Sequence, residues 1–309
     1  MAVLSGIVRK FKGSMGDLTF KQVNGQTIVS GKVTVVSNPR TESQMRTRTK
    51  FTNVVAMYRG IRPLLNYGFE SKAIGLSDYN MFVRLNMQQT PVYLTKQAVS
   101  GGACVAAPYQ ITQGSLPAIV VSGTGQNITT DIALGSDGIT SNTTVAQFSR
   151  SVVSNNVDYN YGDQISFFLV KQKVNAETGI PYCQFFSSKV VLDADNEDKL
   201  WDVTIRNGFS AQDGCLGHSG NDGDCVFAWV HSRKSNGKTL VSSQLLINAN
   251  SILSQYQGDL AFNLAKSSYG EGRSAFLTPN GEATGNTASG GGNSGDNGGG
   301  NGGGGNDSL

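Results

Sequence analysis

Apolar and polar positions alternate early in the chain, in Thr27-Ile28-Val29-Ser30 and again in Lys32-Val33-Thr34-Val35. Period-two alternation with an Asn24-Gly25 turn predicts short strands over residues 3–10 and 18–36. Residues 1–38 thus read as an N-terminal β arm or hairpin. Asn38-Pro39 breaks the strand, and Thr41 followed three residues later by Gln44 makes a helix-starting capping box. The pattern then changes to a helical period. Phe51, Val54, Val55, Tyr58, Ile61 and Leu65 share one broad face of a helix over residues 41–62, which ends near Gly60 and Pro63. Arg46 and Lys50 flank one side of that face, and Arg48, Arg59 and Arg62 the other. Ser77 is a good N-cap for a second short helix through Leu85. Residues 39–90 therefore form a basic helical segment.

Beyond Pro91 the pattern is β. Strands are predicted at 92–99, 103–111, 117–122, 128–134, 164–173, 182–191, 225–233 and 239–247, with turn signals between most of them. Ser166-Phe167-Phe168-Leu169-Val170 does not alternate and reads as a strand buried on both faces, the mark of a sandwich core. Ile252, Leu253, Tyr256, Leu260, Phe262 and Leu264 predict a late helix over 248–266 packing back on the body, so residues 91–270 form a β-rich body with a late helix. Order is expected to stop near Tyr269. Residues 271–309 form a flexible Gly/Asn/Ser-rich tail, because 13 glycines between 281 and 309 leave almost nothing to bury. The expected fold class is α+β, mainly β: an N-terminal hairpin and two helices joined to an antiparallel β-sandwich-like body, with a disordered Gly-rich C-terminal tail.

Composition supports that class, since 38% of the 309 residues are hydrophobic and only 15% charged, the balance of a turn-rich β protein with a real core. Arg9, Lys10 and Lys12 follow the first apolar stretch, the reverse of a signal peptide, so a cytoplasmic or virion location in a host cell is expected. No stretch approaches the roughly 18 to 20 apolar residues that cross a bilayer, which excludes a membrane-spanning helix. Four cysteines are too sparse for a disulfide framework, and a reducing compartment is the default. Charge changes the picture more. Residues 1–65 hold 11 of the 25 basic residues but only Asp17 and Glu42 of the 22 acids, a net of +9 that leaves −6 for the rest. Lys10, Lys12, Arg46, Arg48, Lys50, Arg59 and Arg62 are the candidate binding surface, for an acidic protein surface or for nucleic acid. Phe11, Phe20, Phe51 and Tyr58 are interleaved with these bases, as in a phosphate-contacting surface, although core packing explains Phe51 and Tyr58 better.

Candidate chemistry is thin. Cys215, His218, Cys225 and His231 are the densest set of N and S ligands, yet Cys225 and His231 straddle a strand and stand about 20 Å apart when extended, which fits tetrahedral zinc poorly. A Cys215–Cys225 disulfide and ordinary packing are the other readings, and no metal or cofactor is expected. A nucleophile would need His218 or His231 as its base, and no local Ser or Cys is placed for either. The acidic stretches 193–198 and 221–224 lack the pattern of a calcium loop and read as solvated turns. A phosphate-binding Gly-x4-Gly-Lys loop does not occur.

Several stretches together resemble an uncharacterised domain-of-unknown-function family of Bacteroidota and their phages and mobile elements. They are Gly6 to Gly31, Asn38 to Arg48 leading to Lys50-Phe51, Gln113 to Leu116, Gly162 to Phe167, His231 to Lys234, Ser242 to Gln244 and Ala265 to Gly270. The resemblance brings no catalytic residues and implies a non-enzymatic protein of phage or mobile-element type. The expected function is a structural or interaction protein, a virion or mobile-element component that associates with itself or with other structural proteins and not with membranes. The alternative is a nucleic-acid-binding accessory protein that uses the basic N-terminal segment.

Overall fold

The computed structural model describes residues 2–4, 12–23, 26–32, 41–65, 68–72, 75–124, 127–220 and 222–270. The expected tail, and Lys10 of the candidate surface, lie outside these residues. The fold is mixed α and β with more strand than helix, and every pairing between its strands is antiparallel. Two compact units are present, Met1–Thr47 with Asn263–Leu309, and Arg48–Phe262.

In the first unit, β1 (Ala2–Leu4), β2 (Gly13–Met15), β3 (Leu18–Val23) and β4 (Gln26–Gly31) form one sheet in the order β1-β4-β3-β2. β3 pairs with β4 from Leu18 opposite Gly31 to Val23 opposite Gln26; the predicted turn at Asn24-Gly25 lies outside the described residues. The arm is therefore a four-stranded sheet rather than a single hairpin.

Helix α1 (Glu42–Ile61) starts where Thr41 accepts the Gln44 backbone N–H at 3.4 Å, and α2 (Asp78–Asn86) starts where Ser77 accepts that of Asn80 at 3.3 Å. The buried stripe of α1 is rotated from the predicted one: Met45, Thr49, Asn53, Val54, Met57 and Ile61 are buried, whereas Phe51 is 38% exposed. Asn53 sets the rotation. Its amide accepts the Val105 N–H at 2.8 Å and donates to the Val105 carbonyl at 2.9 Å and the Tyr109 hydroxyl at 3.1 Å.

That contact also explains why residues 103–109 are not the strand their apolar composition suggests. Ala103, Cys104, Val105, Ala106 and Ala107 are buried, and backbone bonds serve only part of the segment, the Ala103 N–H reaching the Ala98 carbonyl and the Cys104 N–H the Pro181 carbonyl. Side-chain amides replace the ladder: Gln172 accepts the Ala106 N–H at 2.7 Å and Asn250 donates to the Ala106 carbonyl at 2.9 Å. The predicted strand over 92–99 is likewise interrupted, because Thr95 caps a short helix α3 (Lys96–Ser100).

The rest of the body adds β5 (Gln110–Thr112), β6 (Val121–Thr124), β7 (Asn127–Ala133), α4 (Val145–Asn155), β8 (Gln164–Val174), β9 (Pro181–Val191) and α5 (Leu200–Val203). After these come β10 (Ser210–Gln212), β11 (Cys215–His218), β12 (Cys225–Ser235), β13 (Lys238–Val241), β14 (Gln244–Leu245) and β15 (Ile247–Ala249). The single strand predicted over 239–247 is thus three short ones. The late helix is a 3-10 turn at Ile252–Tyr256 followed by α6 (Gly258–Ser268). It buries Ala261, Phe262 and Ala265 but leaves Leu260 88% and Leu264 64% exposed.

The central sheet runs β13-β12-β8-β9, with β15 also on β12. As predicted, β8 is buried on both faces. Phe168 and Val170 with Val226, Ala228 and Val230 of β12 pack in one core with Val54, Met57 and Ile61 of α1, Phe82 of α2 and residues 103–111. Phe167 and Leu169 with Phe227 and Trp229 pack in a second core with Ile128 and Ile132 of β7, Leu216 of β11 and Phe148 of α4. One face is therefore sheet on sheet, through the β10-β11-β7-β6 sheet, and the other is covered by helices. Trp229 is 1% exposed and donates its indole N–H to the Gly208 carbonyl at 2.7 Å. Gly208 has to be glycine, since a Cβ there would stand 2.2 Å from the Phe167 ring. Each such buried aromatic contributes roughly 1.5–3 kcal/mol of burial free energy. Among the described residues no helix is long and apolar enough to cross a membrane.

Candidate functional site

The strands separate the predicted Cys/His set. Cys215 and His218 lie on β11 in the outer sheet, Cys225 and His231 on β12 in the central one. Each histidine is taken by its own aspartate. His231 Nε2 lies 2.9 Å from Asp163 Oδ2, and His218 Nε2 lies 2.8 Å from Asp222 Oδ2. All four cysteines are free thiols, and among the described residues no three His, Cys, Asp or Glu side chains gather around a metal position. Burial, and after it the charge of Asp222, pushes the Cys225 thiol up to about 11, which keeps it protonated and a poor ligand.

Around Asp163, Arg233 donates from Nε to Oδ1 at 2.8 Å and from Nη2 to Oδ2 at 2.7 Å, and the Asn160 N–H reaches Oδ2 at 2.9 Å. Burial alone raises the Asp163 carboxyl, but the hydrogen bonds from Arg233, Asn160 and His231 outweigh it and hold the group below the usual carboxylate range. Burial pushes His231 down against the opposing pull of Asp163, so the ring is a neutral imidazole that donates from Nε2. Tyr159 stacks on it with centroids 4.3 Å apart.

Around Asp222, Lys171 Nζ lies 2.8 Å from Oδ1 and Asn207 donates to both oxygens at 3.1 Å. Burial raises this carboxyl too, and Lys171, His218 and Asn207 together bring it below its ordinary value. Phe227 stacks on His218 with centroids 4.6 Å apart, and His218 Nδ1 is buried with no hydrogen-bond partner among the described residues. Asp222 is therefore not a solvated turn residue as the sequence suggests, because its side chain is 3% exposed. A histidine oriented by an aspartate is half of a hydrolytic triad, but these rings are 1% and 2% exposed under aromatic faces. Their chemistry in this setting is to tie Asp163 to β12 and the turn at Asp222 to β8 and β11. Sequence spacing hid both aspartates, Asp163 being 68 residues from its histidine.

The basic residues do not form one patch by number alone. Lys12 is exposed beside β2, and Arg46 pairs with Glu42 one turn away at 3.2 Å. Arg48 and Lys50 are half-buried, while Arg59 and Arg62 are exposed and line an open cleft with Tyr58 and Tyr79.

The feature with the clearest interaction chemistry is β9, the edge strand of the central sheet. It pairs with β8 along its full 11 residues. Among the described residues no other strand or backbone bond covers its outer edge from Gln184 to Val191. Tyr182, Phe186 and Val191 are 39%, 42% and 48% exposed. From Tyr182 to Ser188 the strand carries no charge, and Lys189 and Pro181 alone protect it. Exposed edges of this length and composition template pairing with another chain.

Residues 10–155 match the sequence model of a family of unknown function (DUF6266). The match agrees with the resemblance to an uncharacterised family and spans the elements from β2 to α4. No curated protein and no solved structure matches the chain.

Proposed function

We propose that the protein is a non-enzymatic structural or interaction protein, of the kind from which a virion or mobile-element assembly is built, and that it self-associates by pairing β9 with β9 of a second copy. The unpaired outer edge of β9 carries this reading. A second copy is the occupant because the strand complements itself. An antiparallel two-fold centred on Phe185 places the uncharged Tyr182–Ser188 window opposite itself and stops short of Pro181, whose carbonyl accepts the Cys104 N–H, so no like charges meet.

Light scattering on the full chain should return a dimer or a larger even assembly. Gln184→Glu combined with Phe186→Glu should be monomeric with its melting temperature preserved, since Lys171 stands opposite Gln184 within the monomer while the carboxylates of the two copies would oppose each other across the axis. A monomer at ~0.1 mM, the dissociation constant of a contact worth about 5.5 kcal/mol, would sink the proposal.

A second reading, nucleic-acid binding through the basic segment, is favoured by Arg59 and Arg62, which are exposed beside Tyr58 and have no ion-pair partner among the described residues. Phosphate contacts lose affinity steeply with salt. Filter binding between 50 and 200 mM salt, roughly the range over which such contacts weaken, separates this reading from self-association, and the absence of salt-sensitive binding removes it.

A further inference from the structure

We propose that Cys104 and Cys183 form a reversible disulfide when a hydroperoxide reaches them. The sequence draws attention to Cys215 and Cys225, but the fold brings the other two together. Cys104 donates its backbone N–H to the Pro181 carbonyl at 2.9 Å, which lays residues 103–107 beside the start of β9. From there the Cys183 thiol donates to the Cys104 carbonyl at 3.3 Å, with Gln172 Oε1 at 3.8 Å. Hydrogen bonding to Cys104, followed by burial, pushes the Cys183 thiol up. Cys215 and Cys225 have no such contact and sit on strands of different sheets.

Access is provided on one side. Both sulfur-bearing residues line an open cavity with Phe51, Val55, Arg59 and Phe185. Cys183 is the half-exposed member and Cys104 the buried one. The order of the chemistry follows. Cys183, as its thiolate, attacks the peroxide oxygen; the O–O bond breaks and the leaving oxygen takes up a proton, giving a Cys183 sulfenic acid and an alcohol, or water when the oxidant is hydrogen peroxide. The Cys104 sulfur then attacks the Cys183 sulfur, the S–O bond breaks and water leaves. Two thiols are oxidised and one peroxide is reduced, with no other co-reactant. The raised thiol makes this a slow modification, because the thiolate is the reacting species.

The new bond would close a loop of 79 residues and pin the core segment 103–107 to the central sheet. A loop that long removes much of the freedom of the unfolded chain. Cys183 lies within the Tyr182–Ser188 window proposed for self-association, but the disulfide uses its side chain and not the backbone edge of β9, so the peptide map and light scattering test the two proposals separately.

The test is to treat the full chain with hydrogen peroxide, then to block free thiols and map the peptides by mass spectrometry. The expected product has lost two hydrogen atoms, retains two of its four thiols, contains a linked Cys104–Cys183 peptide, and melts about 5 °C or more higher until a dithiol reductant restores the original value. Cys104→Ser should stop at oxygen adducts on Cys183. The proposal is overturned if the wild-type chain gains oxygen at Cys183 without a link, if the linked pair is Cys215–Cys225, or if oxidation lowers the melting temperature. The wild-type map decides the matter even if the variant does not fold.

Discussion

His231 and His218 are the chain's two histidines, and each ends on a buried aspartate whose other oxygen is held by a base. The two clusters nevertheless differ in how completely they are closed. Arg233 grips Asp163 with a two-pronged fork, and its Nη2 also donates to the Asp158 carbonyl at 2.7 Å. The His231 backbone is fixed as well, its N–H going to Ser242 Oγ at 3.0 Å and its carbonyl accepting the Ser242 N–H at 2.9 Å. Asp222 is met by a single ammonium and a neutral amide. A planar guanidinium in a fixed fork cannot be replaced by solvent as an ammonium on a flexible stem can. The same three kinds of group therefore make a rigid lock at one end of β12 and a looser tie at the other.

The sharpest way to break this comparison is to remove each carboxylate charge in turn. Asp163→Asn should destabilise the fold by about 3–5 kcal/mol, because the one carbonyl oxygen left cannot serve both the Arg233 fork and the buried His231 N–H, and the buried guanidinium contact loses its charged partner. Asp222→Asn should cost about 1–3 kcal/mol, since Lys171 can turn to water and Asn207 still has a carbonyl to meet. Urea unfolding of both variants at neutral pH measures the difference. An equal or reversed ranking would show that the fork confers no extra rigidity.

The parts of this architecture that depend on local order were legible in the sequence. Thr41 and Ser77 start helices because a hydroxyl three residues ahead of a backbone N–H needs no tertiary partner. The doubly buried β8 was visible because a strand with covered faces does not alternate. Thr144 with Gln147 carries the same local signal, and both halves of that capping box form at the start of α4, but the surrounding β pattern obscured it. Residues 103–109 misled because their apolar composition is that of a strand, whereas their peptide groups are satisfied by Asn53, Gln172 and Asn250 from distant elements. The site residues follow the same division. The two histidines stood out by their rarity, but Asp163 and Arg233 meet only through the pairing of β8 with β12. Asp222 reads as a solvated loop residue because it follows His218 by four positions in a Gly- and Asp-rich stretch, with Gly220 and Gly223 at positive φ.

The smallest effect, and the finest separation of the two clusters, is the pH dependence of stability. His231 has its pKa lowered in the fold from 6.5, first by burial. The unfolded chain therefore binds a proton there before the folded chain does, so stability is fully present above about pH 6.5 and declines as pH falls toward the folded value. The decline is bounded by one proton, about 1.4 kcal/mol per pH unit. Asp163 and Asp222 are lowered from 3.8 despite the burial that opposes it, through the hydrogen bonds that surround them. Their contribution is intact above that value and is lost only in more acid solution. Denaturant unfolding from pH 8 to 3 should thus show a shallow fall that begins near pH 6.5 and a second fall below 3.8. His231→Gln should remove the first fall, because glutamine keeps an N–H donor for Asp163 but has nothing to titrate. Asp222→Asn should leave the first fall in place and shrink the second. A first fall of unchanged slope in His231→Gln would mean that His231 is not the group held neutral, and the contrast between the locked and the loose cluster would lose its electrostatic half.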